Sequence, residues 1–297
     1  MQRLALVLLL TLIPVLLNAQ SRRWKSLRYE VVFGAGATNF LGELGGADQI
    51  GTDFYRDLEF SQTRPATSLG LRYYVGSRAA VKANFTYGIL AGDDATTNEF
   101  HRQYRNLNFK TNIYELTTVF EYMFLSERPG ARYKLKGVKG IRGYNIAFYG
   151  FAGVGVLKFN PQGEYNGKWY DLQPLGTEGQ GIIESRKKYD LVQLVIPGGI
   201  GFKYAIDRRW SVGIEYGVRK TFTDYIDDVS RSYVEKSILD QIDPLSYYLA
   251  DKSNGDFPSN TSPGAQRGDP NDKDSYLFAL FTINYKLRSG GSHLPVF

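Results

Sequence analysis

The sequence predicts an all-β protein, an eight-stranded antiparallel transmembrane β-barrel built as an up-and-down meander with long loops at one end. Three observations predict it. Apolar residues recur at every second position in eight segments, short and long connections alternate between those segments, and an export signal precedes them. Composition agrees: the 297 residues include 22 Tyr, 18 Phe and 32 Gly, but only 2 Met, 2 His and no Cys. Aromatics suit lipid–water interfaces, and glycines relieve curvature in a closed sheet. The lack of cysteine excludes disulfides, thiolate zinc sites and a cysteine nucleophile.

Arg3 supplies a positive start, Leu4 to Leu17 an apolar run broken by Thr11 and Pro14, and Asn18-Ala19-Gln20 a small-residue cleavage site. Residues 1–20 therefore read as a signal peptide, with the mature chain beginning at Gln20 or Ser21. The run is shorter than the roughly 20 apolar residues a spanning helix needs, and no later run reaches about 18. The predicted organisation is a periplasmic N-terminal segment over 21–28, the barrel over 29–287 and a periplasmic tail over 288–297. Mean hydropathy is −0.31, which a barrel tolerates because only alternate residues meet lipid.

The first strand, Tyr29 to Phe40, turns Tyr29, Val31 and Phe33 outward. The second, Arg64 to Val75, offers Leu69, Leu71, Tyr73 and Val75; the third, Ala79 to Leu90, offers Val81, Ala83, Phe85 and Tyr87. The fourth, Asn106 to Phe124, sets Tyr114, Leu116, Phe120 and Tyr122 against Glu115 and Glu121. The fifth, Asn145 to Asn160, is too glycine-rich and apolar for its faces to be assigned. The sixth, Val192 to Tyr204, carries Pro197 and Gly198-Gly199, where a bulge or kink is expected. The seventh, Trp210 to Thr221, alternates Trp210, Val212, Ile214, Tyr216 and Val218 with Ser211, Gly213, Glu215, Gly217 and Arg219. The eighth, Ser275 to Leu287, sets Leu277, Ala279, Phe281, Ile283, Tyr285 and Leu287 against Thr282, Asn284 and Lys286.

Strands two and three are joined by Gly76-Ser77-Arg78, and six and seven by Ala205 to Arg209, whereas the other connections are long. Bacterial barrels keep short turns in the periplasm and long loops outside, and an even strand number returns both termini to the periplasm. This places the chain in a bacterial outer membrane. The link Leu125 to Tyr144 is the one long connection on the periplasmic side. The four long loops (41–63, 91–105, 161–190, 222–274) carry a net −12, and the periplasmic pieces (20–28, 76–78, 125–144, 205–209, 288–297) carry +12, within an overall +6. Basic residues that flank a membrane argue against nucleic acid and for anionic headgroups or an acidic periplasmic protein.

The predicted lumen holds Glu30, Glu115, Glu121 and Glu215 with Arg72, Lys82, Lys203, Arg219 and Lys286. An eight-stranded barrel is just wide enough to be filled by side chains, so these charges are expected to pair into a plug rather than line a pore. Catalysis is not expected. The histidines are His101, in a loop beside Asp93 and Asp94, and His293 in the tail, and there is no G-x-S-x-G. No cofactor or small-molecule substrate is inferred. Two acidic groups have oxygen ligands suited to a hard cation, Asp93-Asp94 and Asp224 with Asp227 and Asp228. Neither matches a calcium-loop pattern, so solvated loop carboxylates are expected. Asp251 to Asp274, rich in Gly, Pro, Ser, Asn and Asp, reads as a mobile loop tip.

Several segments, read in order, resemble the PorG-like family of outer-membrane barrels of the Bacteroidota type IX secretion system. Asn39-Phe40-Leu41-Gly42-Glu43-Leu44 is similar to the family's N-Y-x-G-D-L, with Glu43 where the family has Asp. Tyr87-Gly88, Gly92-Asp93-Asp94, Arg105 to Phe109, Glu121-Tyr122-Met123-Phe124 and Lys273 to Tyr276 follow its later blocks. The most specific are Leu172 to Gly181 (LQPLGTEGQG) and Arg219 to Ser230 (RKTFTDYIDDVS). The resemblance covers roughly residues 30 to 287. It implies a non-enzymatic role, tethering a periplasmic ring of PorK- and PorN-like proteins to the outer membrane. The basic residues Arg128, Arg132, Lys134, Lys136, Lys139 and Arg142, with Arg22, Arg23 and Lys25, face the side where such a ring would sit. Two further readings stand beside this one: a surface adhesin or membrane-integrity barrel acting through acidic loops, and a narrow channel.

Overall fold

The computed structural model describes residues 27–44, 60–97, 99–127 and 145–287. The signal peptide, most of the 21–28 segment, the basic residues between 128 and 142 and the 288–297 tail lie outside the described residues. Among the described residues ten strands form in chain order: β1 (Tyr29–Leu41), β2 (Arg64–Tyr74), β3 (Ala79–Asp93), β4 (Asn108–Leu125), β5 (Ile146–Lys158), β6 (Pro161–Tyr165), β7 (Lys168–Asp171), β8 (Val192–Ala205), β9 (Trp210–Thr221) and β10 (Ser275–Leu287). Eight of them make the wall. Neighbours pair antiparallel from β1 to β5, then β5 with β8, β8 with β9, β9 with β10 and β10 with β1, closing the barrel. Closure leaves the eight-stranded wall without an open edge.

Each of the eight expected segments becomes a wall strand. Tyr29, Phe33, Leu69, Leu71, Phe85, Tyr114, Leu116, Phe120, Ile214 and Phe281 are all exposed on the outer face. β5, whose faces the sequence left open, turns Ile146, Phe148, Val154 and Val156 outward and Ala147, Tyr149, Phe151 and Leu157 inward. Val154 is 66% exposed and Leu194 62%. Such a continuous apolar exterior around a closed barrel is what lipid, and not water, would cover. Rings gather toward the end bearing the short turns: Tyr29 lies 5.0 Å from Tyr73, Trp210 4.6 Å from Tyr285, and Phe124 5.5 Å from Phe148. This is an interfacial aromatic girdle. Among the described residues no helix is long and apolar enough to cross a membrane.

Four details differ from expectation. The register does not shift at Pro197: the β5–β8 ladder lapses opposite Gly153 and Val154 and resumes in the same register, since Pro197 has no N–H to donate. The irregularity lies instead between Met123 and Leu125 on β4. Asn106 is not the start of β4 but the left-handed cap (φ 52°) of a helix, α1 (Phe100–Arg105). The 161–190 stretch also carries a hairpin beyond the wall: β6 pairs with β4 and turns into β7 through Asn166-Gly167, both at positive φ, the pair a two-residue type I′ turn favours. Finally, Leu277 keeps its outward parity but is buried.

Candidate functional site

The lumen divides into two layers. Toward the turn end, Arg72 on β2 is the hub of a buried ion network. It pairs with Glu30, donates from Nε to Glu121 at 2.5 Å, and reaches Glu215 at 3.2 Å and the Tyr149 hydroxyl at 3.0 Å. Lys82 lies 2.6 Å from Glu215 and 3.4 Å from Glu121. Lys203 donates to Glu30 at 3.1 Å and to the Tyr74 hydroxyl at 2.7 Å. Nearer the loops, Arg219 meets Glu115 at 3.4 Å, and Tyr276 donates to the other Glu115 oxygen at 2.7 Å.

All nine predicted lumen charges therefore point inward. Four acids against five bases left one positive charge over, and Glu127 supplies its partner. It pairs with Lys286 and lies 3.4 Å from Lys203. Glu127 sits past the end of β4, in the stretch read from sequence as the periplasmic link. The irregularity at Met123–Leu125 breaks the alternation before Glu127, so strand parity carried no signal for it. The tyrosines 74, 149 and 276 also went unassigned, because a phenol shows no charge pattern in sequence.

The second layer is apolar. Phe40, Leu90, Phe109, Ile113, Leu157, Val195, Phe278 and Leu280 point inward from the loop-end halves of the strands, and Leu44, Leu107, Ile226 and Val229 descend onto them from the loops. Ile226 and Val229 are fully buried. Ion pairs at one end and a close-packed cap at the other fill the lumen, as expected for eight strands.

The loops over this cap hold buried charge. Asp94 accepts from Arg105 at 2.7 and 2.9 Å. Glu178 accepts from the backbone N–H groups of Ser230 and Arg231 at 2.9 and 3.0 Å, and from Arg267 at 3.0 Å. Asp228, at φ 67°, accepts from Thr177 and from the Tyr189 hydroxyl at 2.7 Å. Thus 172–181 and 219–230, the most specific segments of the resemblance, lock onto each other. Burial pushes Asp228 up to about 6, against the pull of Arg267 and its two hydroxyl donors. The expectation of solvated loop carboxylates fails for Asp94, Asp224, Asp227 and Asp228, which are all buried. The reading of 251–274 as a mobile tip misses Arg267 and Asp274, both buried. Charged residues in a loop escape water only when another loop covers them, and sequence patterning does not show that contact. His101 is exposed, and the loop carboxylates near it are engaged elsewhere: Asp93 accepts from Ala95 N–H and Asp94 from Arg105.

Among the described residues, a cluster of three carboxylates has no ion-pair partner. Glu43, Asp227 and Asp274 each place a carboxylate oxygen within 4.8 Å of the others. Backbone N–H groups hold each residue: Asp269 donates to Glu43 Oε1 at 2.9 Å, Ile226 to Asp274 Oδ2 at 2.8 Å, and Leu44 and Val229 to the two Asp227 oxygens at 3.1 and 3.0 Å. Burial raises all three carboxyls; Asp227 adds to the rise of Glu43 and Asp274, and Glu43 to that of Asp274. Of the predicted cation candidates, Asp227 joins this group, buried Asp224 repels Glu43 and Asp274, and Asp228 belongs to the Glu178–Arg267 lock.

No curated protein sequence matches the chain. Among solved structures, it is similar to the Neisserial surface protein A, NspA, at 8% identity and TM-score 0.39, covering 87% of this chain and 97% of that one. It is also similar to Ail, the attachment invasion locus protein of Yersinia pestis, at 8% identity and TM-score 0.39, covering 88% and 99%. A major outer membrane protein from Thermus thermophilus matches at 12% identity and TM-score 0.33, covering 87% and 99%. The family model described as Domain of unknown function (DUF6089) matches residues 4–162, more than half of the chain, and the protein belongs to that family.

Proposed function

We propose that this barrel is a non-enzymatic component of a type IX protein secretion system, anchoring a periplasmic ring of PorK- and PorN-like proteins to the outer membrane. The observation that carries the reading is the filled lumen. With the Arg72 network at one end and the Ile226–Val229 cap at the other, the barrel offers surfaces rather than a passage. The PorG-like segments favour this role over other surface-acting barrels, and two of them interlock, Ser230 N–H donating to Glu178 and Thr177 to Asp228. In this reading the long loops face outward, the termini and the basic 128–142 link face the periplasm, and that link meets an acidic surface of the ring.

The test is a mild-detergent pull-down of the tagged, processed protein from its own envelope, with partners identified by mass spectrometry. Recovery of periplasmic ring proteins is expected, and reversing Arg132, Lys134, Lys136 and Lys139 to Glu should abolish it. Recovery of the barrel alone, with secretion normal in a deletion strain, overturns the role.

A second reading, a surface adhesin or membrane-integrity barrel, is favoured by a different observation. Phe100 and Phe257 are exposed at the loop end, with ring centroids 5.2 Å apart, and Tyr104 lies 5.4 Å from Phe257. In that case the aromatic cluster, rather than the largely buried loop carboxylates, makes the contact.

A further inference from the structure

We propose that Glu43, Asp227 and Asp274 form a binding site for a hard divalent cation of the Ca²⁺ class, which ties the loop after β1 to the last long loop at the mouth of the barrel. The three residues come from chain segments far apart in sequence, yet the antiparallel pairing of β1 with β10 sets Leu41 opposite Ser275. That register brings Glu43 and Asp274, just beyond the paired ends, to the same point. Asp227 is delivered from the other side, with the turn that also buries Ile226 and Val229 in the cap.

The arrangement of the oxygens carries the argument. The backbone grips one oxygen of Glu43 and one of Asp274, while the second, Glu43 Oε2 and Asp274 Oδ1, is buried without any hydrogen-bond partner. Asp274 is only 1% exposed. An orphaned carboxylate oxygen away from water is strongly unfavourable unless a positive charge meets it. No lysine or arginine among the described residues does: Arg105 is taken by Asp94, and Arg267 by Glu178 and Asp228.

The geometry fits an ion in place of a side-chain cation. Two oxygens bound at about 2.4 Å to one centre are at most about 4.8 Å apart, and one oxygen from each of the three residues meets that limit with the other two. An all-oxygen, all-carboxylate donor set without His or Cys selects Ca²⁺ or Mg²⁺ over transition metals. Irregular loop ligands favour the flexible shell of Ca²⁺ over the strict octahedron of Mg²⁺. Gly42 supports the same reading. A Cβ there would clash with the Phe40 ring and lie 2.5 Å from Asp274 Oδ1, so the glycine keeps both the ring and the orphaned oxygen clear.

The experiment is calorimetric titration of CaCl₂, and separately MgCl₂, into the full processed protein after EDTA stripping and transfer to detergent. One Ca²⁺ per chain is expected, with a Kd on the order of 10⁻⁴ to 10⁻³ M, the range of extracellular Ca²⁺ modules, and weaker Mg²⁺ binding. Asp274→Asn and Glu43→Gln, which keep shape and remove charge, should each weaken Ca²⁺ by about tenfold or more, while Asp240→Asn on the exposed loop should not. Should a variant fail to fold, as judged by its heat-modifiable mobility on a gel, Tb³⁺ luminescence of the wild-type protein replaces it; displacement of Tb³⁺ by millimolar Ca²⁺ is then expected. No heat and no Tb³⁺ signal at millimolar concentration overturns the proposal, as does Ca²⁺ binding unaltered in folded variants.

Discussion

Glu178, in the loop after β7, and Arg267, in the last loop, meet at 3.0 Å with both side chains buried. The same Glu178 oxygen accepts from Ser230 and Arg231 N–H, so one carboxylate joins three stretches of loop that are far apart in sequence.

Breaking that pair should loosen the loop crown without opening the wall. Arg267→Met leaves Glu178 and Asp228 without their buried cation, a loss of about 3–5 kcal/mol, whereas Glu178→Gln leaves Arg267 the more distant Asp228 and should cost less. The expected signature is rapid protease cleavage within 222–274 while the strands stay protected. The double variant should be milder than Arg267→Met alone, since it removes both charges of the pair. Equal cleavage of wild type and variants would refute the lock.

Arg72→Met should be the most damaging single change in the lumen. It removes the partner that Glu30, Glu121 and Glu215 share, leaving Glu30 to Lys203 and the other two to Lys82. A loss of about 3–5 kcal/mol or more is expected, read by urea titration of the protein refolded into lipid vesicles. Arg72→Lys should recover only part of it, because an ammonium cannot reproduce the guanidinium fork. A wild-type midpoint for Arg72→Met would show that the network is dispensable.

Vesicles containing the wild-type barrel should admit small sugars no faster than lipid alone, because the lumen is filled from the Arg72 layer to the Ile226 cap. Ile226→Ala removes a fully buried side chain and should cost about 2–5 kcal/mol in cavity terms, yet still not conduct. Stepwise single-channel currents from the wild-type protein would overturn this picture.

Lys252, half-buried at the loop end and donating to Asn108 at 2.6 Å, has its ammonium pushed down to about 8 by burial, despite the pull of Asp93 and Glu164. The folded chain therefore holds this proton less tightly than the unfolded chain, whose lysine titrates near about 10.4. Between these values the unfolded state binds more protons, so this group's contribution to stability rises with pH from about 8 to about 10.4. A ¹³C-labelled lysine titration by NMR should place the Lys252 midpoint near 8; a midpoint above about 10, the ordinary lysine range, would sink the assignment.

The wall was readable from residues alone. A strand with one face on lipid must alternate, so Trp210 to Thr221 and Ser275 to Leu287 declared both their extent and their inward charges. β5 hid its faces because Gly150, Gly153 and Gly155 replace the side chains that would mark them. The Asn166-Gly167 pair carries a turn signal, but nothing local to it shows that strands form on either side within so long a loop.

By itself, then, the sequence determined the eight wall strands, the parity of most of them and the nine lumen charges, because two-residue periodicity is a local consequence of a pleated chain between unlike solvents. Only the tertiary structure decided what meets across the barrel and above it: Glu127 balancing Lys286, Glu178 holding Arg267, and Glu43 drawn to Asp227 and Asp274. Those contacts depend on barrel closure and on loops folding over one another. Closure pairs residues far apart in the chain, and a loop carboxylate has no periodicity to tell whether water or another loop will cover it.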